Sequence, residues 1–345
     1  MQAKESFLEL VNIFKTSMKK IIIVLVIVIS AVGFSQKKIN GISFVASNNE
    51  VNLFQINPVI NVNANWVTLM PFAFMKSIND TTIIYNSKNQ WKGERKEGIT
   101  NTAKLFKTKK IKVMLKPQIW IPNGFTGHIK MNSDKEWKSF EKNYENYILF
   151  YAKIAQDTNC ELFCIGTEMN SVVMARPNYW NNLIVKIKKL YSGKITYAEN
   201  WDTYKNVSFI DKLDFIGIDA YFPLDKAKTP SIDALVKAWK PVKIEIEKLS
   251  KKHNKKVIFT EYGYQSKDFT TLEPWEHSKS RVVNLKGQEN ALLALYKIFW
   301  KETWFAGGFL WKWYGNHEKS GGKADDDYTV QNKPSELIVK NQYKE

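Results

Sequence analysis

The sequence predicts an α/β fold, a single-domain (β/α)8 or TIM barrel, and three observations lead there. Short apolar runs alternate with longer amphipathic stretches, the pattern of βα units around a parallel sheet. The runs number eight, at residues 41–45, 66–70, 111–116, 162–166, 195–198, 215–218, 257–260 and 307–310. Eight strands in one undivided chain favour a closed barrel over an open doubly wound sheet. No glycine-rich phosphate fingerprint follows the first run, which weakens a dinucleotide-binding alternative. The chain has 345 residues and is 44% hydrophobic, enough for one large core, and α/β barrels commonly occupy such a length as one domain.

The elements follow in order. Met18-Lys19-Lys20 and the apolar run at 21–34 have the charged and hydrophobic regions of a secretory signal. Gly33 and Ser35 supply small residues for cleavage before Gln36. The run is shorter than the roughly 20 residues of a membrane span, and no cysteine follows it to carry a lipid. The expected organisation is therefore an upstream extension at 1–17, a signal peptide at 18–35 and one barrel domain at 36–345. The mature protein is expected to be secreted or periplasmic, without stable membrane insertion; an uncleaved anchor is the alternative.

Between the strands, helices announce their ends. Ser133-Asp134-Lys135-Glu136 reads as a capping box. Trp137, Phe140, Tyr144, Tyr147, Tyr151 and Ile154 then recur at helical spacing, a stripe suited to packing on the barrel. A second helix runs from near Asn178 to a stop at Gly193. A third runs from Ser231 towards Lys252, with Pro241 expected to kink or split it. The polar stretch at 315–333 reads as a long loop before a last helix beginning near Pro334.

Composition excludes several function classes. The formal net charge is +17, but the lysines are scattered and form no basic stripe interleaved with aromatics, so nucleic acid is not an expected partner. Cys160 and Cys164 are the only cysteines; they provide no disulfide framework and no zinc spacing, and a buried thiol is expected at Cys164. The four histidines, His128, His253, His277 and His317, show no paired spacing. Asp325-Asp326-Asp327 lacks a calcium-loop pattern. Neither a metal nor a cofactor is expected. The sequence is silent on oligomeric state.

In such barrels the catalytic residues stand at the C-terminal ends of strands, where the βα loops open. The third run closes on Lys116, with Gln118 and Trp120 after it. The fourth closes on Gly166-Thr167-Glu168, and the fifth on Glu199-Asn200-Trp201. The sixth closes on Asp219 and Tyr221, the seventh on Glu261, and the eighth on Trp311 and Trp313. Acids, amides and aromatics at one rim suit a sugar: carboxylates for the bond, polar groups for hydroxyls, flat rings for sugar faces. Strict alternation places Leu162, Cys164, Gly166 and Glu168 on one strand face, and Val257, Phe259 and Glu261 on another. A carboxylate that caps an apolar strand and points at the barrel axis is costly unless it is used. Glu168 and Glu261 are the catalytic candidates, and Glu199 is their competitor. Lys116, Trp120, Asn200, Trp201, Asp219 and Tyr221 are candidate hydroxyl or ring contacts.

Four segments sharpen the reading: Ile165-Gly166-Thr167-Glu168-Met169-Asn170, Phe215-Ile216-Gly217-Ile218-Asp219-Ala220-Tyr221, Phe259-Thr260-Glu261-Tyr262-Gly263-Tyr264 and Gly308-Phe309-Leu310-Trp311. In this order and spacing they resemble the strand motifs of clan A glycoside hydrolases, and most closely those of glycoside hydrolase family 113, whose characterised activity is β-mannanase. The resemblance runs from about residue 38 to the C-terminus and includes a closing segment at 328–334. It implies a retaining hydrolase of β-mannosidic bonds in mannan or manno-oligosaccharides, with Glu168 as acid/base, Glu261 as nucleophile and Trp311 as the platform under the sugar at the cleavage point. The chain departs from the clan at Thr167, where an asparagine usually binds the sugar 2-hydroxyl; Asn200 and Asn170 are candidates to replace it. The competing readings are a retaining enzyme for another β-linked glycan and a non-catalytic carbohydrate-binding barrel.

Overall fold

The computed structural model describes residues 37–276 and 280–344. The expected extension and signal segment, and His277, lie outside the described residues. The unit from Lys38 onward is an eight-stranded, wholly parallel closed barrel. Its strands are β1 (Ile39–Phe44), β2 (Trp66–Leu69), β4 (Lys112–Leu115), β6 (Leu162–Thr167), β7 (Lys194–Asn200), β8 (Ile216–Asp219), β9 (Val257–Tyr262) and β10 (Phe305–Trp313). They pair in that order, and β10 closes on β1. All eight expected strands are present, each within a few residues of its expected limits. Two further strands, β3 (Phe72–Phe74) and β5 (Gln118–Trp120), form a separate parallel pair that the sequence reading missed.

The helices are α1 (Leu53–Asn61), α2 (Lys96–Thr108), α3 (Asp134–Asp157), α4 (Asn170–Ala175), α5 (Pro177–Leu190), α6 (Ile232–His253), α7 (Leu285–Phe299) and α8 (Pro334–Lys344). Ser133 caps α3 through the Glu136 amide, but the Glu136 carboxylate turns to the Asn132 amide rather than closing the box on Ser133. A complete capping box stands instead at Asn52 and Gln55, before α1. Pro241 does not split α6, which is assigned unbroken through it to a left-handed cap at Asn254. Pro241 and Lys237, whose carbonyl the proline cannot serve, are both exposed, so water can take the lost partner's place. Among the described residues no helix is long and apolar enough to cross a membrane.

Side chains divide between two cores. Inside the barrel, Met114, Leu162, Cys164, Ala198, Phe215, Ile258 and Phe309 fill the lower layers. Outside, strand side chains such as Val113, Phe163, Ile165, Ile218 and Phe259 pack under the helices. The aromatic stripe of α3 belongs to this outer core: Phe140, Tyr144, Tyr147 and Tyr151 are buried, and Tyr144 meets Trp180 edge to face at 5.6 Å. Burial of each such ring contributes about 1.5–3 kcal/mol. Gly307 is the one strand residue with φ +119, and a Cβ there would lie 2.2 Å from the Ile39 carbonyl oxygen. Only glycine permits that closure of β10 on β1.

Candidate active site

Both candidate glutamates reach the open face of the barrel, but not by strict alternation. Between β6 and β7, Cys164 pairs with Thr196 and Thr167 with Ala198, so three steps on β6 match two on β7. The extra residue is a bulge. A Cβ at Gly166 would meet Tyr197, Tyr144 and Trp180 of the outer core, so Gly166 faces outward beside Ile165 and not inward with Cys164. Glu168 follows with φ 52, and its amide donates to the Ala198 carbonyl at 2.7 Å. A non-glycine residue held in this left-handed region costs on the order of 1–3 kcal/mol.

A second bulge aims Glu261. Ile218 pairs with Phe259 and Asp219 with Glu261, so one step on β8 spans two on β9. Val257 and Phe259 lie in the outer core and Ile258 in the inner one. The expected shared face of Val257, Phe259 and Glu261 is therefore wrong. Unbroken alternation would have buried Glu261 against the helices; the bulge turns Thr260 and Glu261 inward together. Bulges commonly re-aim side chains beside active sites.

Glu168 and Glu261 line one cleft of about 450 Å³, together with Asn200, Tyr221, Trp311, Phe125, Asp202, Trp275 and Tyr328. Their surroundings differ in kind. Among the described residues, the Glu261 carboxylate is met by three donors: the Lys116 ammonium and the Gln118 amide, at 2.7 Å, on Oε1, and the Tyr221 hydroxyl, at 2.8 Å, on Oε2. Lys116 also contacts both oxygens of Asp219, at 3.2 and 3.1 Å, and Thr260 donates to Asp219 at 2.7 Å. Burial alone would lower the Lys116 ammonium, but Asp219 and Glu261 outweigh it and hold the group above its ordinary value. Asp219 is pushed up to about 7, by burial first and by the Glu261 charge second, against the opposing Lys116. At Glu168, burial and then the charges of Asp219 and Glu261 push the carboxyl well above the usual range. The cleft thus holds one carboxylate gripped by donors and one carboxyl biased towards its neutral form.

Of the expected contacts, Asn200, Tyr221 and Trp311 line the cleft with the glutamates. Lys116 and Asp219 do not: both are fully buried beneath it, paired with each other, and out of a sugar's reach. Trp120 lines a neighbouring cavity, and Trp201 stands behind Trp275, stacked on it at 5.1 Å. Trp313 is fully buried and stacks on His317 at 5.4 Å, away from the cleft. Asn170 accepts from Asn206 at 2.9 Å and does not line the cleft, whereas Asn200 does.

Parity turns Glu199 away from the cleft. Its neighbour Ala198 points into the barrel, so Glu199 points out with Tyr197. It is fully buried there, accepting from the Asn200 amide, Thr203 and Tyr197, while burial pushes it up to about 7. Tyr197 in turn accepts the Met169 amide at 2.8 Å, so Glu199 braces the turn that carries Glu168. The aspartate cluster is tied into the wall: Asp325 pairs with Lys333, Asp326 with Arg281 and Asp327 with Lys312. No group of His, Cys, Asp or Glu among the described residues is arranged to hold a metal. Sequence reasoning missed Phe125, Asp202 and Trp275, which sit in loops without periodicity. It passed over Gln118, whose register with Phe72 in the undetected pair β3–β5 is what carries it to Glu261.

Against known proteins, the model of Glycoside Hydrolase Family 113 matches residues 46–333. The chain belongs to that family. It is a glycoside hydrolase on a (β/α)8 barrel. Two solved structures are similar over most of their length. One is the family 113 β-mannanase AaManA from Alicyclobacillus acidocaldarius in complex with ManMIm, at 25% identity and TM-score 0.77, covering 89% of this chain and 97% of that one. The other is a family 113 β-1,4-mannanase, at 25% identity and TM-score 0.74, covering 89% and 99%. A β-glucuronidase from Ruminococcus gnavus shares the fold at 11% identity and TM-score 0.58, covering 89% of this chain and 49% of that one. No curated protein sequence matches the chain.

Proposed function

We propose that the protein hydrolyses β-mannosidic bonds in mannan or manno-oligosaccharides with retention of configuration. The observation that carries this is the opposed surroundings of two glutamates in one cleft: Glu168 biased towards its neutral form, Glu261 ringed by three donors. The mannoside part rests on the likeness to family 113 β-mannanases.

In this mechanism Glu168 gives its proton to the glycosidic oxygen as the bond to the anomeric carbon breaks, and a Glu261 oxygen attacks that carbon from the opposite face. The departing sugar leaves as an alcohol, and the other sugar remains as an ester on Glu261. Glu168, now ionised, takes a proton from water, which attacks the anomeric carbon and releases Glu261. Lys116 and Gln118 orient the nucleophile throughout. Trp311 underlies the ring being distorted, and Asn200 takes the 2-hydroxyl contact that Thr167 is too short to make. We further infer that residues 18–35 direct export; the mature protein recovered from outside the cytoplasm would then begin at Gln36.

The test is to incubate the protein with defined β-linked manno-, gluco- and xylo-oligosaccharides and follow the anomeric protons by NMR. Preferential cleavage of the manno-series with first release of the β-anomer is expected. Inversion, or preference for another series, would overturn the corresponding half of the reading.

A further inference from the structure

The two glutamates are held in different ways. Three donors fix the Glu261 carboxylate. Among the described residues no hydrogen bond or ion pair holds the Glu168 carboxyl, on which its surroundings act through burial and charge. The aim of Glu168 therefore rests on its backbone, which stands at φ 52 just past the β6 bulge. A bulge disrupts the ladder around it, and its buried polar groups need other partners. Side chains supply them here. The Tyr144 hydroxyl donates to the Ile165 carbonyl at 2.9 Å and the Cys164 thiol to the Gly166 carbonyl at 3.1 Å, while the Tyr197 hydroxyl accepts the Met169 amide at 2.8 Å. All three side chains are buried, Cys164 inside the barrel and the two tyrosines outside it. Gly166 leaves no slack between them: a Cβ there would lie 2.8 Å from the Tyr144 hydroxyl oxygen and 2.7 Å from the Tyr197 ring.

Tyr144 belongs to the aromatic stripe of α3, but its ring and its hydroxyl have separable tasks. The ring packs on Trp180, and the hydroxyl bonds the bulge. Tyr151, two turns farther along the same stripe, is equally buried, and its hydroxyl has no partner among the described residues. We propose that Tyr144 is a positioning residue for the acid/base, its hydroxyl fixing, together with Cys164 and Tyr197, the bulge that aims the Glu168 carboxyl at the glycosidic oxygen. This rests on the reading of Glu168 as the acid. Proton transfer needs the two oxygens within about 2.6–3.2 Å, and a carboxyl with no bond of its own follows any shift of the turn that carries it. Removing the hydroxyl leaves the Ile165 carbonyl short of a donor in the core, and the bulge relaxes. The loss falls on the step that needs a proton, while Glu261 keeps its own donors on β9.

The experiment measures kcat/KM for the parent, Tyr144→Phe, Cys164→Ala, Tyr151→Phe and Glu168→Ala on aryl β-glycosides graded in leaving-group pKa, made with whichever sugar the parent cleaves. Melting is followed in parallel. Tyr144→Phe should lose roughly tenfold on the poorest leaving groups and less than about twofold on the best. Cys164→Ala should show the same split, and decides the matter should Tyr144→Phe not fold. Tyr151→Phe should match the parent throughout. Added to Glu168→Ala, Tyr144→Phe should cost nothing further on poor leaving groups, because both changes remove one function. A loss independent of the leaving group, the same split in Tyr151→Phe, or additive losses in the double variant would overturn the positioning role. A split in Glu168→Ala with none in Tyr144→Phe sinks that role alone. Equal losses across the series in Glu168→Ala, or a parent that cleaves none of the glycosides, sink the acid reading and the positioning role together.

Discussion

Replacing Lys116 by Met keeps the aliphatic stem and removes one buried positive charge from between two carboxylates. At an effective dielectric of about 20, the 3.1 Å contact with Asp219 alone corresponds to about 5 kcal/mol of attraction. Breaking a buried pair from one side costs a net of about 3–5 kcal/mol, because the remaining charge is stranded. Here two are stranded, Asp219 fully buried and Glu261 nearly so, and adjacent like charges cannot both stay ionised. One of them takes up a proton. At 1.36 kcal/mol per pH unit, a loss of about 3 kcal/mol raises the acid limb of kcat/KM by about two units. The assay is a pH profile on an aryl glycoside whose leaving group needs no acid, so that Glu168 drops out of the comparison. Melting is followed in parallel. A carboxyl whose folded pKa is raised destabilises as pH rises, so the variant's deficit should be small near pH 4 and grow towards neutrality. An unmoved acid limb with parent-like melting would refute the assignment of Lys116 as the counter-charge of Glu261.

Three further outcomes follow from the same geometry. Glu168→Ala should lose far more activity on unactivated oligosaccharides than on good leaving groups, and should lose the alkaline limb; equal losses on both would contradict the acid role. Trp311→Phe should melt close to the parent while kcat/KM on oligosaccharides drops at least roughly tenfold; a variant that melts far lower yet keeps its efficiency would place Trp311 in the core. Glu199→Gln should keep cleavage within about threefold, because Glu199 faces away from the cleft. Glu199 is raised to about 7 in the folded protein against about 4.3 unfolded, so it lowers stability as pH rises between those values, and the Gln variant should lose that part of the slope. Abolished turnover would make Glu199 catalytic.

The barrel was legible because its signal is local. Each strand is a short apolar run with a polar end, and β-branched and aromatic residues fill both sides of it. The pair β3–β5 was not legible, because three-residue strands such as Phe72–Phe74 carry too few positions to show a period. The site was legible as a set of strand ends, and Glu168, Glu261, Asn200, Tyr221 and Trp311 do meet there. The route to it was not. Alternation placed Glu261 inward only because two errors cancelled: the true parity of β9 is opposite, and the bulge at Thr260 reverses it again. Nothing in the residue pattern separates a polar group above the cleft floor from one below it, so Lys116 and Asp219 read as sugar contacts although they are each other's partners. Phe125 and Trp275 arrive from loops, whose course depends on tertiary contacts.

The central claim, that Glu261 is the nucleophile of a retaining mannoside hydrolase, is tested most directly by trapping. An activated 2-deoxy-2-fluoro-β-mannoside forms the glycosyl ester but slows its hydrolysis, because the fluorine destabilises the oxocarbenium-like transition state. The protein is quenched during turnover, digested and sequenced by mass spectrometry. The account predicts time-dependent inactivation and one fluoromannosyl adduct, on Glu261. An adduct on Glu168 or Glu199, or continued turnover of β-mannosides with no adduct, would contradict it.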